Sequence, residues 1–247
     1  MKTNSARFHN VLWVVAVLIW CRPGGESGFA AEAKATNTTN RASGLKFRPP
    51  TSSAPSVRVT GGSRGSGDAA LSLDVLAPDD IGLTTQDQPS LFWFQSKPAD
   101  AKFELTLLQE NKVKPLVQVS VERSSKAGIQ RMKLSDHGVK LALGVEYQWV
   151  VALVSDPNNR STDLVASGVI KRVEPAADLK AKIAQASPES LPGVYAEGGI
   201  WHDALSMLSD QIDSHPEDKT LRRARADLLR QAGLKAAAGF EGDPAKQ

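Results

Sequence analysis

The chain has 247 residues, with 30 Lys and Arg against 27 Asp and Glu, and one cysteine. The net charge of +3 divides into a basic N-terminal arm and a mildly acidic body, and neither resembles the basic, aromatic-laced folded surface that a nucleic-acid interface requires. The one cysteine, Cys21, lies in the N-terminal leader, so the chain beyond residue 33 has no disulfide, thiol nucleophile or thiolate metal ligand.

The leader, residues 1–33, is expected to be a secretory signal peptide. Lys2, Arg7 and His9 form a positively charged start, and Val11–Trp20 is an apolar run. That run falls short of the ~20 residues that span a bilayer. Gly-Phe-Ala-Ala-Glu-Ala then offers cleavage after Ala30, Ala31 or Ala33. A retained N-terminal anchor is the rival reading. Trp20 before Cys21 is too large for a lipoprotein signal. The product is expected to be exported, to the periplasm or beyond.

Residues 34–70 are rich in Ser, Thr, Gly, Pro and Ala and show no apolar period. They are expected to form a disordered basic linker. Lys34, Arg41, Lys46, Arg48, Arg58 and Arg64 meet no acid before residue 68, so the chain beyond them is mildly acidic. Such an arm suits weak contact with anionic membrane or wall polymer.

Residues 71–174 alternate with period two. In KFELTLLQ, Phe103, Leu105 and Leu107 share a face; in PLVQVSVE, Val117, Val119 and Val121 do. Glu110-Asn111-Lys112 lies between them and predicts a hairpin. LSLDVL, PSLFWFQ, GIQRMKLS, EYQWVVALVS and DLVASGVIKRV bring the total to seven strands. That pattern predicts a seven-stranded antiparallel immunoglobulin or fibronectin type III-like β-sandwich. Leu141-x-x-Gly144-x-x-Tyr147 has the spacing of a tyrosine corner, in which the hydroxyl bonds back to the upstream backbone. Trp93, Gly144, Tyr147 and Trp149 are therefore assigned structural roles, with both tryptophans in the core.

From residue 175 to 235 the period becomes helical, which makes the whole chain α+β. AADLKAKIAQA is one helix. Leu191, Tyr195, Gly199, Ala204, Leu208 and Pro216 come next, at the spacing of a single tetratricopeptide-like hairpin. A helix from about Glu217 to Ala232 caps it, stopped by Gly233. Residues 236–247 are expected to be a disordered tail.

No motif supports catalysis. Gly61-Gly62-Ser63-Arg64-Gly65 fits G-x-S-x-G, but no helix comes after it to strain Ser63 on a turn. Gly65–Ala70 fits G-x-G-x-x-A without the βαβ unit a dinucleotide needs. His137, His202 and His215 lack a partner at ligand spacing, so neither metal nor cofactor is expected. The stretch Ser155–Asp163, SDPNNRSTD, is different. Asp156, Pro157, Asn158 and Asn159 are turn chemistry. A turn requires neither Arg160 nor Asp163, so Asp156, Asn159, Arg160, Ser161 and Asp163 form the candidate binding loop.

Several of these fragments together carry a resemblance. They are Leu73, Leu76 and Pro78; Gly82-Leu83-Thr84; Pro89 with Phe92-Trp93-Phe94; and Gly144-x-x-Tyr147-x-Trp149. Asp156-Pro157-x-Asn159-Arg160-Ser161-x-Asp163, Gly168-x-Ile170-x-Arg172 and Tyr195…Gly199-Ile200-Trp201-His202-Asp203-Ala204-Leu205 complete them. The set resembles the family called domain of unknown function 928, exported proteins of cyanobacteria-like genomes, over about residues 60–235. The resemblance also implies one Cys before the Asp-Pro and another near the Gly-rich start. Here Ser155 precedes Asp156, and no Cys lies near Gly65.

The functional expectation is a non-catalytic exported cell-envelope protein, a binding or adaptor module for another envelope protein or a glycan. The alternatives are an envelope hydrolase using acids of the Asp156–Asp163 loop, and a structural protein held to an anionic surface by the basic linker.

Overall fold

The computed structural model describes residues 44–50, 58–62, 71–99, 101–121 and 126–243. The leader, both Gly-rich motifs beyond Gly62, and the rest of the linker lie outside the described residues. The strands are β1 (Gly61–Gly62), β2 (Ser72–Val75), β3 (Gly82–Thr84), β4 (Ser90–Gln95), β5 (Lys102–Gln109), β6 (Val117–Val121), β7 (Gly128–Lys133), β8 (Glu146–Val154) and β9 (Leu164–Arg172). The helices are α1 (Ala177–Gln185), α2 (Leu191–Glu197), α3 (Trp201–Ser214), α4 (Lys219–Gln231) and α5 (Lys235–Gly242).

Two sheets form, in the orders β1-β2-β4-β7 and β3-β9-β8-β5-β6. Each of the seven stretches with period two contains one strand. The β5–β6 hairpin pairs Leu107 with Val117 and turns through Asn111, the non-glycine residue at positive φ (60°). The sheets face each other across Leu73, Val75, Leu91, Trp93, Phe103, Leu105, Leu107, Tyr147, Trp149 and Val151, all buried.

The purely antiparallel seven-stranded expectation needs correction. The described strands include β1 and β3 as well, and β3 runs parallel to β9, with Gly82 opposite Ile170 and Thr84 opposite Arg172. After β2 the chain turns through Pro78, Asp79 and Asp80 and joins the opposite sheet. Three residues are too few to show a period.

Strand β4 explains the position of the helices. All six of its residues are buried. Leu91 and Trp93 point into the space between the sheets, while Phe92 and Phe94 belong to a second core with the helices. A strand whose middle four residues, Leu91–Phe94, are apolar on both faces must be covered on both. Trp201, Leu205 and Leu208 of α3, and Leu228 and Leu229 of α4, provide that cover. Trp201 also donates its indole N–H to the Leu76 carbonyl at 2.8 Å.

Two further expectations are overturned. Residues 236–247 are not simply a tail: α5 runs to Gly242, and Ala237 and Ala238 are buried in the helical core. The linker is partly built into the fold. Phe47 packs edge-on against Trp201 at 4.9 Å between ring centroids. Its backbone N–H donates to the Gln231 side chain at 2.8 Å, and Arg48 N–H donates to the Ala196 carbonyl at 3.1 Å. Farther on, Val59 exchanges backbone hydrogen bonds with Ser167. Arg58, one of the cations of the basic arm, pairs with Asp79 at 2.5 Å and donates to the carbonyls of Ala77 and Ala232. Gly199 accommodates this strap. It sits at φ 75°, and a Cβ there would lie 2.8 Å from the Arg48 carbonyl oxygen.

Helix α4 starts with Asp218, whose carboxylate accepts the Thr220 N–H at 2.8 Å. It ends before Gly233, at φ 76°.

Candidate functional site

The β8–β9 loop answers to its own residues. Asp156 accepts the Asn158 N–H at 2.9 Å, and Ser161 donates to the Asn159 side chain at 2.6 Å. Arg160 donates from Nε to Asp163 at 2.5 Å and reaches Glu104 of β5 at 3.4 Å. These two carboxylates, Asp163 first, raise the Arg160 pKa. Gln118 of β6 donates to the same Glu104 at 2.8 Å. The loop's polar groups thus tie the start of β9 to β5 and β6. Asp163 is almost fully enclosed, whereas Arg160 is about half exposed.

Trp93 and Trp149 are buried between the sheets. The Tyr147 hydroxyl accepts the Ala142 N–H at 3.0 Å, and Gly144 precedes it at φ 76°.

A second polar cluster sits where α3 meets β3, and sequence reasoning did not single it out. Asp203, in the first turn of α3, accepts the Thr84 hydroxyl at 2.6 Å, the Thr85 N–H at 3.1 Å and the Thr85 hydroxyl at 2.5 Å. Burial pushes its carboxyl above the ordinary range, and these bonds pull it back down. Tyr195 is raised as well, by burial and then by Asp203. Beside it His202 is fully buried, with neither ring nitrogen bonded. Burial lowers its pKa to about 3, so the ring is neutral. A Cβ on Gly82 would come within 2.5 Å of its Nε2. The arrangement is a largely buried junction between layers.

The accessible feature is a cleft of about 580 Å³ between β7 and helices α3, α4 and α5. Arg131 of β7 lies 5.2 Å above the Phe92 ring and pairs with Asp210 at 2.5 Å and Asp213 at 3.7 Å. Arg225 of α4 pairs with Glu241 of α5 at 2.7 Å, with both side chains buried, and donates to Ser209 at 3.1 Å. Lys126 lines the same cleft and makes a contact of its own. Arg222 lines it too, half-buried, and forms no hydrogen bond or ion pair with any described residue. Half-exposed Phe240 completes the wall. Four cations therefore meet three carboxylates here, on a body that is otherwise acidic.

The sequence signal for this cleft was weak. Arg222-Arg223-x-Arg225 reads as a solvated helix face. Only the packing of α4 against α3 and α5 brings two of those arginines to the cleft. Among the described residues no group of three or more His, Cys, Asp and Glu could hold a metal ion. Nor is any described helix long and apolar enough to cross a membrane.

Compared with known proteins, residues 59–240 match the family model Domain of Unknown Function (DUF928). No curated protein matches. Among solved structures, a multi-domain immunophilin from Arabidopsis thaliana is similar at 8% identity, covering 78% of this chain and 97% of that one. Its TM-score is 0.17, too low to bear on fold or function.

Proposed function

The chain belongs to the Domain of Unknown Function (DUF928) family, and from the surfaces it presents we propose that it is an exported, non-catalytic binding module of the cell envelope. Its ligand is an envelope glycan or protein. The observation that carries this reading is the preformed cleft between the sheet and the helices. Its walls come from rigid elements, which suits recognition.

The groups in that cleft favour binding over chemistry. Arginine keeps its proton at any ordinary pH. The carboxylates Asp213 and Glu241 are held in ion pairs.

The architecture supports the same reading. The sheet orders β1-β2-β4-β7 and β3-β9-β8-β5-β6, with β3 parallel to β9, suit an immunoglobulin-like sandwich with an added edge strand. The bond from Ala142 N–H to Tyr147 suits a tyrosine corner. Helices α2 and α3, packed on the sheet rather than stacked on copies of themselves, suit a tetratricopeptide-like hairpin.

The test is capture from a native envelope extract on the immobilised, folded chain. Enrichment of a polymer or protein over a heat-denatured control is expected. No enrichment would remove the binding-module reading.

A further inference from the structure

We infer that the cleft between β7, α3, α4 and α5 takes an acidic sugar, with the Arg222 guanidinium as the group that closes on the sugar carboxylate. The inference rests on the binding-module reading and deepens it.

Arg131 and Arg225 are already committed. Each is locked to carboxylates and to a serine hydroxyl: Arg131 Nε donates to Ser90 at 2.9 Å, and Arg225 Nη1 donates to Ser209 at 3.1 Å. Their charge is offset by Asp210, Asp213 and Glu241, so they hold the walls of the cleft in place rather than attract an anion. Arg222 is the cation left over. It is half-buried on the same helix as Arg225, three residues earlier, and makes no hydrogen bond or ion pair with any described residue. A half-buried guanidinium with five donors and no acceptor is poised for a planar, bidentate anion. Carboxylate fits that fork.

The rest of the wall argues for a sugar. Phe240, packed edge-on against Phe94 at 5.5 Å, leaves part of its ring on the cleft wall with Lys126 and Gly128. A ring beside a guanidinium can cover the apolar face of a pyranose while the cation holds its acid group. The volume, about 580 Å³, falls within the ~300–1,000 Å³ of small-ligand sites. A peptide held through its main chain would need a sheet edge to pair with. β7 is the last strand of its sheet, and it is the face carrying Ile129 and Arg131, shared with Phe92 and Phe94, that turns toward the cleft. Finally, the body beyond residue 67 is net acidic. A local positive excess on such a body draws anions to one place instead of coating the surface.

The experiment is calorimetric titration of the folded chain with a short oligogalacturonate, a neutral oligosaccharide of equal length, and oligoglutamate. The expected result is binding of the uronate, weakened by added salt, with at least tenfold weaker binding of the other two. Arg222→Gln should weaken uronate binding at least tenfold at an unchanged melting temperature. Arg222→Lys, which keeps charge but loses the fork, should fall between. Equal binding of oligoglutamate would overturn the sugar assignment, and an unaltered Arg222→Gln titration would overturn the site. If no uronate binds while the chain still captures envelope material, this inference falls and the binding-module reading stands.

Discussion

The Thr84 hydroxyl donates to the Asp203 carboxylate at 2.6 Å, a bond between strand β3 and helix α3 that joins positions 119 residues apart. Both side chains are buried. This bond, with those from Thr85, joins two distant stretches into one junction: Gly82-Leu83-Thr84 on the sheet and Gly199–Leu205 at the start of the helix. It fixes the start of α3 against the sandwich, and the same helix carries Ser209, Ile212 and Asp213 to the cleft.

Asp203→Ala leaves the Thr84 hydroxyl and the Thr85 N–H without an acceptor in a closed site. The expected loss is about 2–3 kcal/mol, from unsatisfied buried donors. Asp203→Asn keeps an acceptor and removes a buried charge, so its loss should be smaller. Urea denaturation of both variants checks the order.

His202 makes stability depend on pH. Above the ordinary histidine value of 6.5 the ring is neutral in both the folded and the unfolded chain, and the fold keeps its full stability. As pH falls below 6.5 the unfolded ring gains a proton, while the buried ring refuses one until about 3. Stability therefore drops across that window, by up to about 5 kcal/mol. Asp203 opposes this, because its raised pKa makes the folded carboxyl protonate first. The bonds from Thr84 and Thr85 limit that opposition. Tyr195, the other raised group at the junction, titrates far above this range. His202→Leu should flatten the profile between about pH 6 and 4 and raise the urea midpoint at neutral pH, since two unbonded ring nitrogens leave the core. An unchanged slope in that variant would assign the pH dependence elsewhere.

Gly82 and His202 should prove coupled. Gly82→Ala puts a methyl within 2.5 Å of Nε2, and overpacking of this kind costs about 1–3 kcal/mol. In a His202→Ala background the same change should cost little. A double-mutant cycle with no interaction free energy would refute the contact.

The strap is a stabilising element rather than a tether. Phe47→Ala should cost about 3 kcal/mol, the low end for a buried phenylalanine that lies near the surface. It should also increase quenching of Trp201 fluorescence by acrylamide, as the indole loses its edge-on neighbour. Unchanged stability would return residues 44–50 to the role of linker.

The strands were readable where their two faces differ. KFELTLLQ alternates because β5 buries one face between the sheets and leaves the other half-open. Strand β3 was hidden because three residues carry no period and because its pairing is parallel. In β4, SLFWFQ announced a strand, but Phe92 and Phe94 also announced a second layer, which composition alone does not locate. The strap was masked by its Ser and Pro content; its anchors, Phe47 and Arg58, are isolated residues with distant partners. Helix α5 carries its buried face on alanines, which weigh little in an apolar pattern. The loop at Asp156–Asp163 stood out for its polarity, and that polarity is largely spent on its own turn and on Glu104. The cleft could not be read in advance. It is assembled from β7 and three helices, and the pair Arg131–Asp210 spans 79 positions.

The central claim is that the chain binds an envelope polymer through the helix–sheet cleft and not through the β8–β9 loop. The most direct measurement is the uronic-acid content of material captured from native envelope extract by three immobilised proteins. These are the wild-type chain, Arg222→Gln, and the double variant Asp156→Ala with Asp163→Ala. The account predicts enrichment by the wild type and by the loop variant, and its loss in Arg222→Gln. Enrichment that survives Arg222→Gln and disappears with the loop substitutions would contradict it.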